Sequence, residues 1–370
     1  MPIEPFEDQP FFRRAINRMQ GYAPGEWPEL DAGVIKLNSN ENPYPPSPQV
    51  LQALTQITPE CLRRYPDPLA TSFRHTVSTT FDISPESVIV GNGSDDLLTL
   101  LVRACAEGTR QIAYPMPTYV LYRTLAAIQD AKIAEIPYLK KVDEWHLPIH
   151  QLLTEQAAIT FVATPNSPTG HVVPMADLRR LAQGLSGVLV IDEAYVDFAG
   201  DNADRASIAL VREFENVLLL RTVSKGYALA GLRLGFGIAQ PTLLSGLLKV
   251  KDSYNVDAIT LTLGAAAIQD RAYKQKIVRQ VVEAREQLAT ALRELGFWVG
   301  RSQTNFLLAQ PPGNTPKETS QTLYKNLKKQ QIMIRYFSQP GLDNKLRITV
   351  GTPTQNQRMI NAIKQCLLNE

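Results

Sequence analysis

The sequence predicts an α/β layer sandwich followed by a smaller α+β unit. Two observations carry most of that expectation. Seven short apolar runs fall between about residues 88 and 239, with turns and helical patterns between them. Several of the runs are continuously apolar instead of alternating, as a sheet covered by helices on both faces requires. A third observation sets the second unit apart: beyond about residue 270 the strand candidates become fewer and the helices fall to one side.

The elements follow in order. Residues 1–45 read as an arm, because Pro, Gly and Asn are frequent and the clustered prolines of NSNENPYPPSP stop any long helix. The strand candidates are VIVG (88–91), QIAYP (111–115), KIAEIPY (132–138), AAITFVAT (157–164), GVLVIDE (187–193), NVLLLRT (216–222) and LGFGIA (234–239). Between the first two, DDLLTLLVRACA repeats Leu97, Leu98, Leu101 and Cys105 on one helical face. Residues 243–269 are expected to be helical, and 276–295 form a helix whose apolar stripe is Val281, Leu288, Leu292 and Leu295, stopped by Gly296. TNFLLAQ (304–310), QIMIRYF (331–337) and KLRITVG (345–351) are strands, with helices around 320–328 and 355–368. The expected division is an arm at 1–45, a large unit at 46–270 and a small α+β unit at 271–370.

Composition narrows the function classes. The chain has 370 residues, enough for roughly two to three units of about 150 residues each. Lys plus Arg number 38 and Asp plus Glu 36, a formal charge of +2, which gives no electrostatic reason for a nucleic-acid or anionic-membrane partner. Cys61, Cys105 and Cys366 are too few and too far apart for a disulfide framework. His146 and His150 share an i,i+4 spacing, but Pro148 lies between them and no further ligands accompany them, so they read as loop or surface residues and no metal is expected. No run reaches transmembrane length and the opening MPIEPFEDQPFFRR lacks an apolar signal core, so a cytoplasmic location is expected.

Three signals lie at strand ends or in the loops beyond them, where open α/β sheets bind ligands. ATPNSPTG carries Asn166; VLVIDEAYVDF carries Asp192 and Glu193, with Tyr195 three residues after Asp192; RTVSKGYALAGLRLGF carries Lys225, with Arg233 eight residues later. Singly, these read as a turn residue, a helix cap and a solvated lysine. Together they match the needs of pyridoxal 5′-phosphate, which requires a lysine for covalent attachment and an acid facing the pyridine nitrogen. In that reading Asp192 keeps the ring protonated, Tyr195 and Asn166 donate to the ring oxygen, and Lys225 both holds the cofactor and moves a proton. For the phosphate, GNGSDDLL offers Gly91, Gly93 and Ser94 ahead of a helix starting at about Asp95, whose N–H groups can hold an anion. The third glycine of a dinucleotide fingerprint is missing, and so is the Lys of a Walker A loop. Thr222, Ser224 and Arg233 add hydroxyls and a permanent cation beside Lys225.

Taken in order, NENPYPPSP, RYPDP, GNGSDD, YPMPTY, ATPNSPTG, VIDEAYVDF, RTVSKGYALAGLRLGFGIA, TNF and LRITVGTP resemble the fold-type I pyridoxal phosphate enzymes, and within them the histidinol-phosphate aminotransferase family. The likeness covers nearly the full chain. It implies a three-layer sandwich around a mostly parallel seven-stranded sheet, with Ser94, Asp95, Thr222, Ser224 and Arg233 at the cofactor. It also implies that Tyr119 stacks on the pyridine ring and that Tyr65 reaches the cofactor phosphate of a neighbouring subunit, hence a homodimer with shared sites. Tyr22, Asn40, Arg335 and Arg347 are assigned to the substrate, the two arginines converging on its phosphate. The implied reaction takes L-histidinol phosphate and 2-oxoglutarate to imidazole acetol phosphate and L-glutamate in histidine biosynthesis. An aromatic amino-acid aminotransferase and a threonine-phosphate decarboxylase are the alternatives. Two departures stand out: Ser94-Asp95-Asp96 where the family commonly has Ala-Asp-Glu, and Gly-Tyr-Ala after Lys225 where Ala-Tyr-Gly is frequent.

Overall fold

A computed structural model of the chain describes residues 10–19, 21, 26, 33–141 and 144–368. After a short strand β1 (Ile35–Lys36), the large unit contains β2 (Val88–Gly91), β3 (Ile112–Met116), β4 (Ile133–Pro137), the hairpin β5 (Leu139–Lys141) and β6 (Glu144–His146), β7 (Ile159–Ala163), β8 (Val188–Asp192), β9 (Val217–Thr222) and β10 (Gly235–Ala239). Seven of these form one sheet in the order β2-β10-β9-β8-β7-β3-β4. Only β10 runs against its neighbours, pairing antiparallel with both β2 and β9.

The continuously apolar runs have the cause the sequence suggests. Successive side chains of each strand enter two different cores: Val88, Val90, Leu189, Ile191, Val217 and Leu219 pack on one face, while Ile89, Val190, Leu218 and Leu220 pack on the other. Helices therefore cover both faces, and the strand ends remain open.

Three expectations change in detail. The helix expected over 243–269 is broken into Pro241–Leu248 and Ala258–Gln269. In the gap, Asn255 donates to Val90 O and to Asp96 Oδ2, both at 3.0 Å, and Asp257 caps the second helix by accepting from Thr260 N at 2.8 Å. The next helix runs Arg271–Glu294, starting earlier than expected because Asp270 caps it through Tyr273 N. Its end is a Schellman turn: Gly296 sits at φ +82°, its N–H donates to Arg293 O, and Phe297 N donates to Leu292 O.

The third change divides QIMIRYF. In the small unit, β11 (Trp298–Val299), β12 (Phe306–Gln310), β14 (Arg335–Tyr336) and β15 (Leu346–Thr349) form an antiparallel sheet in the order β11-β12-β15-β14. The preceding β13 (Ile332–Met333) instead pairs parallel with β1. Ile35 and Leu37 thereby join the apolar core made by Leu288, Leu292, Leu323, Ile348 and Ile363. Among the described residues no helix is long and apolar enough to cross a membrane.

Candidate active site

The ends of β8 and β9, the start of β10 and the helix Ser94–Cys105 surround a cavity of about 280 Å³, closed on its far side by residues 38–40 and by the small sheet. Ser94, Asp95, Tyr119, Asp192, Tyr195, Thr222, Ser224, Lys225, Arg233, Asn40, Arg335 and Arg347 all line it. Segments far apart in the chain thus meet in one place.

The helix start and the first residue of β10 approach each other closely at the backbone. Gly93 has φ +80°, and a Cβ there would lie 2.7 Å from Arg233 Nη2. A Cβ at Gly235 would lie 2.3 Å from Ser94 N, so a larger residue would push the strand away from the helix start. Ser224 N donates to Thr222 Oγ1 at 3.1 Å, fixing two hydroxyls beside the helix N-terminus. Arg233 comes within 3.9 Å of Asp95, and Tyr119 donates to the same carboxylate at 3.4 Å. Burial raises the Asp95 pKa, opposed by the Arg233 charge.

At the floor, Asp192 and Glu193 diverge, as successive residues at a strand end must. Glu193 turns behind the sheet and pairs with Arg221 at 2.7 Å. The buried Asp192 carboxylate faces the cavity, accepting from Ala194 N at 3.1 Å and from the Tyr122 hydroxyl at 2.7 Å. Burial pushes its pKa up to about 6. The Lys225 amine donates to Ser39 O at 3.4 Å. Removal from water, and next the Arg347 charge, bring its pKa down to about 8, which favours the nucleophilic free amine.

Tyr195 stands edge-on to Phe306, with ring centroids 5.2 Å apart, and its hydroxyl accepts from Asn40 Nδ2 at 2.8 Å. Asn40 takes the uncommon left-handed backbone, φ +55°, and is tied to the small sheet by Thr349 and Asn305. Above it, Arg347 donates to Asn38 O at 2.9 Å and to Ser167 Oγ at 3.2 Å. Arg335 and Arg347 are direct cross-strand partners on β14 and β15, and each guanidinium lies 5.8 Å from the centre of the Phe337 ring.

Asn166 requires a correction. Its side chain is fully buried between its own loop and the loop after β3, donating to Pro117 O and Thr169 Oγ1 and accepting from Thr118 Oγ1, and it is not among the residues lining the cavity. Ser167, the next residue, faces the cavity instead. Tyr65 is also absent from the cavity lining: it is 81% exposed and stacks on Tyr254 at 4.5 Å. Tyr22 lies outside the described residues. Sequence reasoning missed Ser167, Phe337 and Tyr122; for Tyr122 the available signal was its position three residues beyond Tyr119 at the start of a helix.

An amine of lowered pKa, a buried acid, paired hydroxyls and a glycine-lined helix start fit pyridoxal 5′-phosphate, and fold and site together define a fold-type I aminotransferase that uses it. The family model for aminotransferase class I and II matches residues 32–363. A histidinol-phosphate aminotransferase of Nostoc sp. strain PCC 7120 is 55% identical over 359 residues, covering 96% of this chain and 98% of the relative. One from Citrifermentans bemidjiense is 39% identical over 353 residues, covering 95% and 97%. The chain belongs to the histidinol-phosphate aminotransferase family. Among solved structures, the Sinorhizobium meliloti histidinol-phosphate aminotransferase in complex with pyridoxal 5′-phosphate shares its fold, with a TM-score of 0.84 at 23% identity over 90% of this chain and 91% of that one.

Proposed function

We propose that the chain transfers the amino group of L-histidinol phosphate to 2-oxoglutarate, yielding imidazole acetol phosphate and L-glutamate, as a step of histidine biosynthesis. The observation that carries this choice of substrate is the pair Arg335 and Arg347. Like charges directly opposite on neighbouring strands are unfavourable unless an anion separates them, and two guanidiniums suit a phosphate dianion. The names of the relatives at 55% and 39% identity support the same reading.

When bound, pyridoxal 5′-phosphate supplies an electron-withdrawing ring that stabilises negative charge at the substrate's α-carbon and carries the amino group between half-reactions. Lys225 Nζ would attach it and, when free, would be the group that moves the α-carbon proton. Asp192 would balance a proton on the ring nitrogen. Tyr195, whose oxygen accepts from Asn40, would have its own proton left to donate to the ring oxygen. The N–H groups at Ser94 and Asp95, the Thr222 and Ser224 hydroxyls and Arg233, which all line the cavity, would hold the phosphate, and Tyr119, also in the lining, would cover the ring. Residues 46–270 form the cofactor unit in this reading, with 1–45 and 271–370 closing the substrate side.

A homodimer completes the site. Tyr65 is exposed and stacks on the exposed Tyr254, an aromatic pair suited to contact with a second copy, and its phenol would reach that copy's cofactor phosphate.

The test is a donor panel with 2-oxoglutarate, comparing kcat/KM for histidinol phosphate, histidinol, phenylalanine and threonine phosphate. Charge-assisted bonds are worth roughly 1.5–3 kcal/mol each, so histidinol phosphate should exceed histidinol by at least about tenfold. A preference for phenylalanine, or carbon dioxide release from threonine phosphate, overturns the assignment.

A further inference from the structure

Tyr122 is the first tyrosine beyond Tyr119, in the helix Leu121–Ile128, and is fully buried. Its ring stacks on Phe161 with centroids 4.5 Å apart and planes at 8°, while Tyr119 and Tyr114 approach at 5.7 and 5.9 Å. Its surroundings are the apolar core under the sheet, with Leu97, Leu101, Ile159 and Val190. A phenylalanine would fill such a place without a polar group to satisfy; a hydroxyl is retained there only at a cost unless it is bonded. It is bonded to one atom that matters, Asp192 Oδ2, at 2.7 Å.

We propose that Tyr122 is a positioning residue for amino transfer, acting through Asp192: its hydroxyl holds the carboxylate against the nitrogen of the bound pyridine ring. The inference rests on the cofactor reading above. Two anchors set the acid, Ala194 N on Oδ1 and Tyr122 on Oδ2, one at each oxygen. With both in place, the carboxylate can neither rotate about its terminal bond nor withdraw into the core, and its remaining lone pairs face the cavity. A phenol donating to a carboxylate favours the ionised form, and that form balances a ring proton. The hydroxyl's hydrogen-bond partner is Asp192 and the ring also meets Tyr119 edge-on, both on the cofactor side of the cavity, so its removal should act through the cofactor.

The experiment compares Tyr122→Phe, Asp192→Asn and the double variant, measuring the cofactor dissociation constant, the pH titration of the holoenzyme's visible band, and kcat separately from KM. Loss of one charge-assisted bond corresponds to roughly ten- to hundredfold, so Tyr122→Phe should weaken cofactor binding or lower kcat by about that factor. KM for the amino donor should change little, and the visible-band midpoint should move by about half a pH unit or more. In the Asp192→Asn background the same substitution should add almost nothing, because the carboxylate it acts on is gone. A residue that only packs would leave the titration unmoved and give additive effects in the cycle, and that result overturns the proposal. Wild-type protein that fails to bind pyridoxal 5′-phosphate overturns both the proposal and the cofactor reading, whereas normal wild-type binding with an unchanged Tyr122→Phe titration overturns the proposal alone.

Discussion

Replacing Arg335 by Ala should move stability and activity in opposite directions, and the opposition separates a ligand site from an ordinary structural residue. Arg335 and Arg347 are cross-strand partners, and both guanidiniums lie 5.8 Å from the Phe337 ring centre. Like charges facing each other across neighbouring strands repel, by on the order of 1 kcal/mol where solvent reaches them. Solvent screening at this partly open site brings the relief expected from Arg335→Ala to at most about 1 kcal/mol. The unliganded variant should therefore melt at the same temperature as wild type or slightly higher. With histidinol phosphate the variant loses one charge-assisted contact, and kcat/KM should fall roughly ten- to hundredfold. Phenylalanine, whose carboxylate keeps Arg347, should lose less than about threefold, on the order of 0.6 kcal/mol. Melting curves with and without inorganic phosphate, together with kcat/KM for both donors, form the assay. Equal losses for the two donors, or a clear drop in unliganded stability, would refute the reasoning.

Asp192→Asn bears on the unliganded enzyme as well as the reaction. The Asp192 pKa is raised from 3.8 to about 6 in the fold, so this group's contribution is full below about 4 and is lost as pH rises toward 6. At pH 7.5 the unliganded Asn variant should therefore be more stable than wild type by up to ~3 kcal/mol in thermal unfolding, while amino transfer in single-turnover spectra falls by several orders of magnitude. The Gly-Tyr-Ala sequence after Lys225 predicts opposite signs at its two ends. A Cβ at Gly226 would lie 2.2 Å from Asp197 Oδ2, a carboxylate held at 2.7 Å by Lys274, so Gly226→Ala should cost about 1–3 kcal/mol in denaturant unfolding. Ala228 has φ +57°, so Ala228→Gly should be neutral or stabilising by up to about 1 kcal/mol. Borohydride reduction and peptide mass mapping should find the cofactor on Lys225; mixed dimers of Lys225→Ala and Tyr65→Phe subunits should retain one intact site, and light scattering that finds only an active monomer would contradict the shared-site dimer.

The large sheet was legible because burial on both faces leaves a strong mark: four to six consecutive apolar residues bounded by turns. The same physics hid Tyr122, since an aromatic inside an apolar helix face looks like core until its hydroxyl is traced to Asp192. Asn166 and Ser167 show a different limit. A strand's period of two or a helix's 3.6 tells which side chains share a face, but the ATPNSPTG loop has no period; Asn166 is bonded to Thr169 and, across to the loop after β3, to Pro117, while Ser167 lines the cavity. The division of QIMIRYF had a similar origin: its apolar pattern is continuous, and only partner strands from opposite parts of the chain distinguish Ile332–Met333 from Arg335–Tyr336.

Asn40 holds together residues that are remote in sequence. Its amide meets Tyr195 across 155 positions, its carbonyl meets Asn305 across 265, and its backbone N–H meets Thr349 across 309. These contacts close loops spanning most of the chain, so they form only after the entropy of those loops has been overcome. A nascent chain that has not yet delivered its last strand lacks the Thr349 tie and cannot present the Tyr195 hydroxyl in this setting. Competence for chemistry is therefore acquired only when β15 has docked, and an activity measurement on refolding protein reports the docking of residue 40 onto the small sheet.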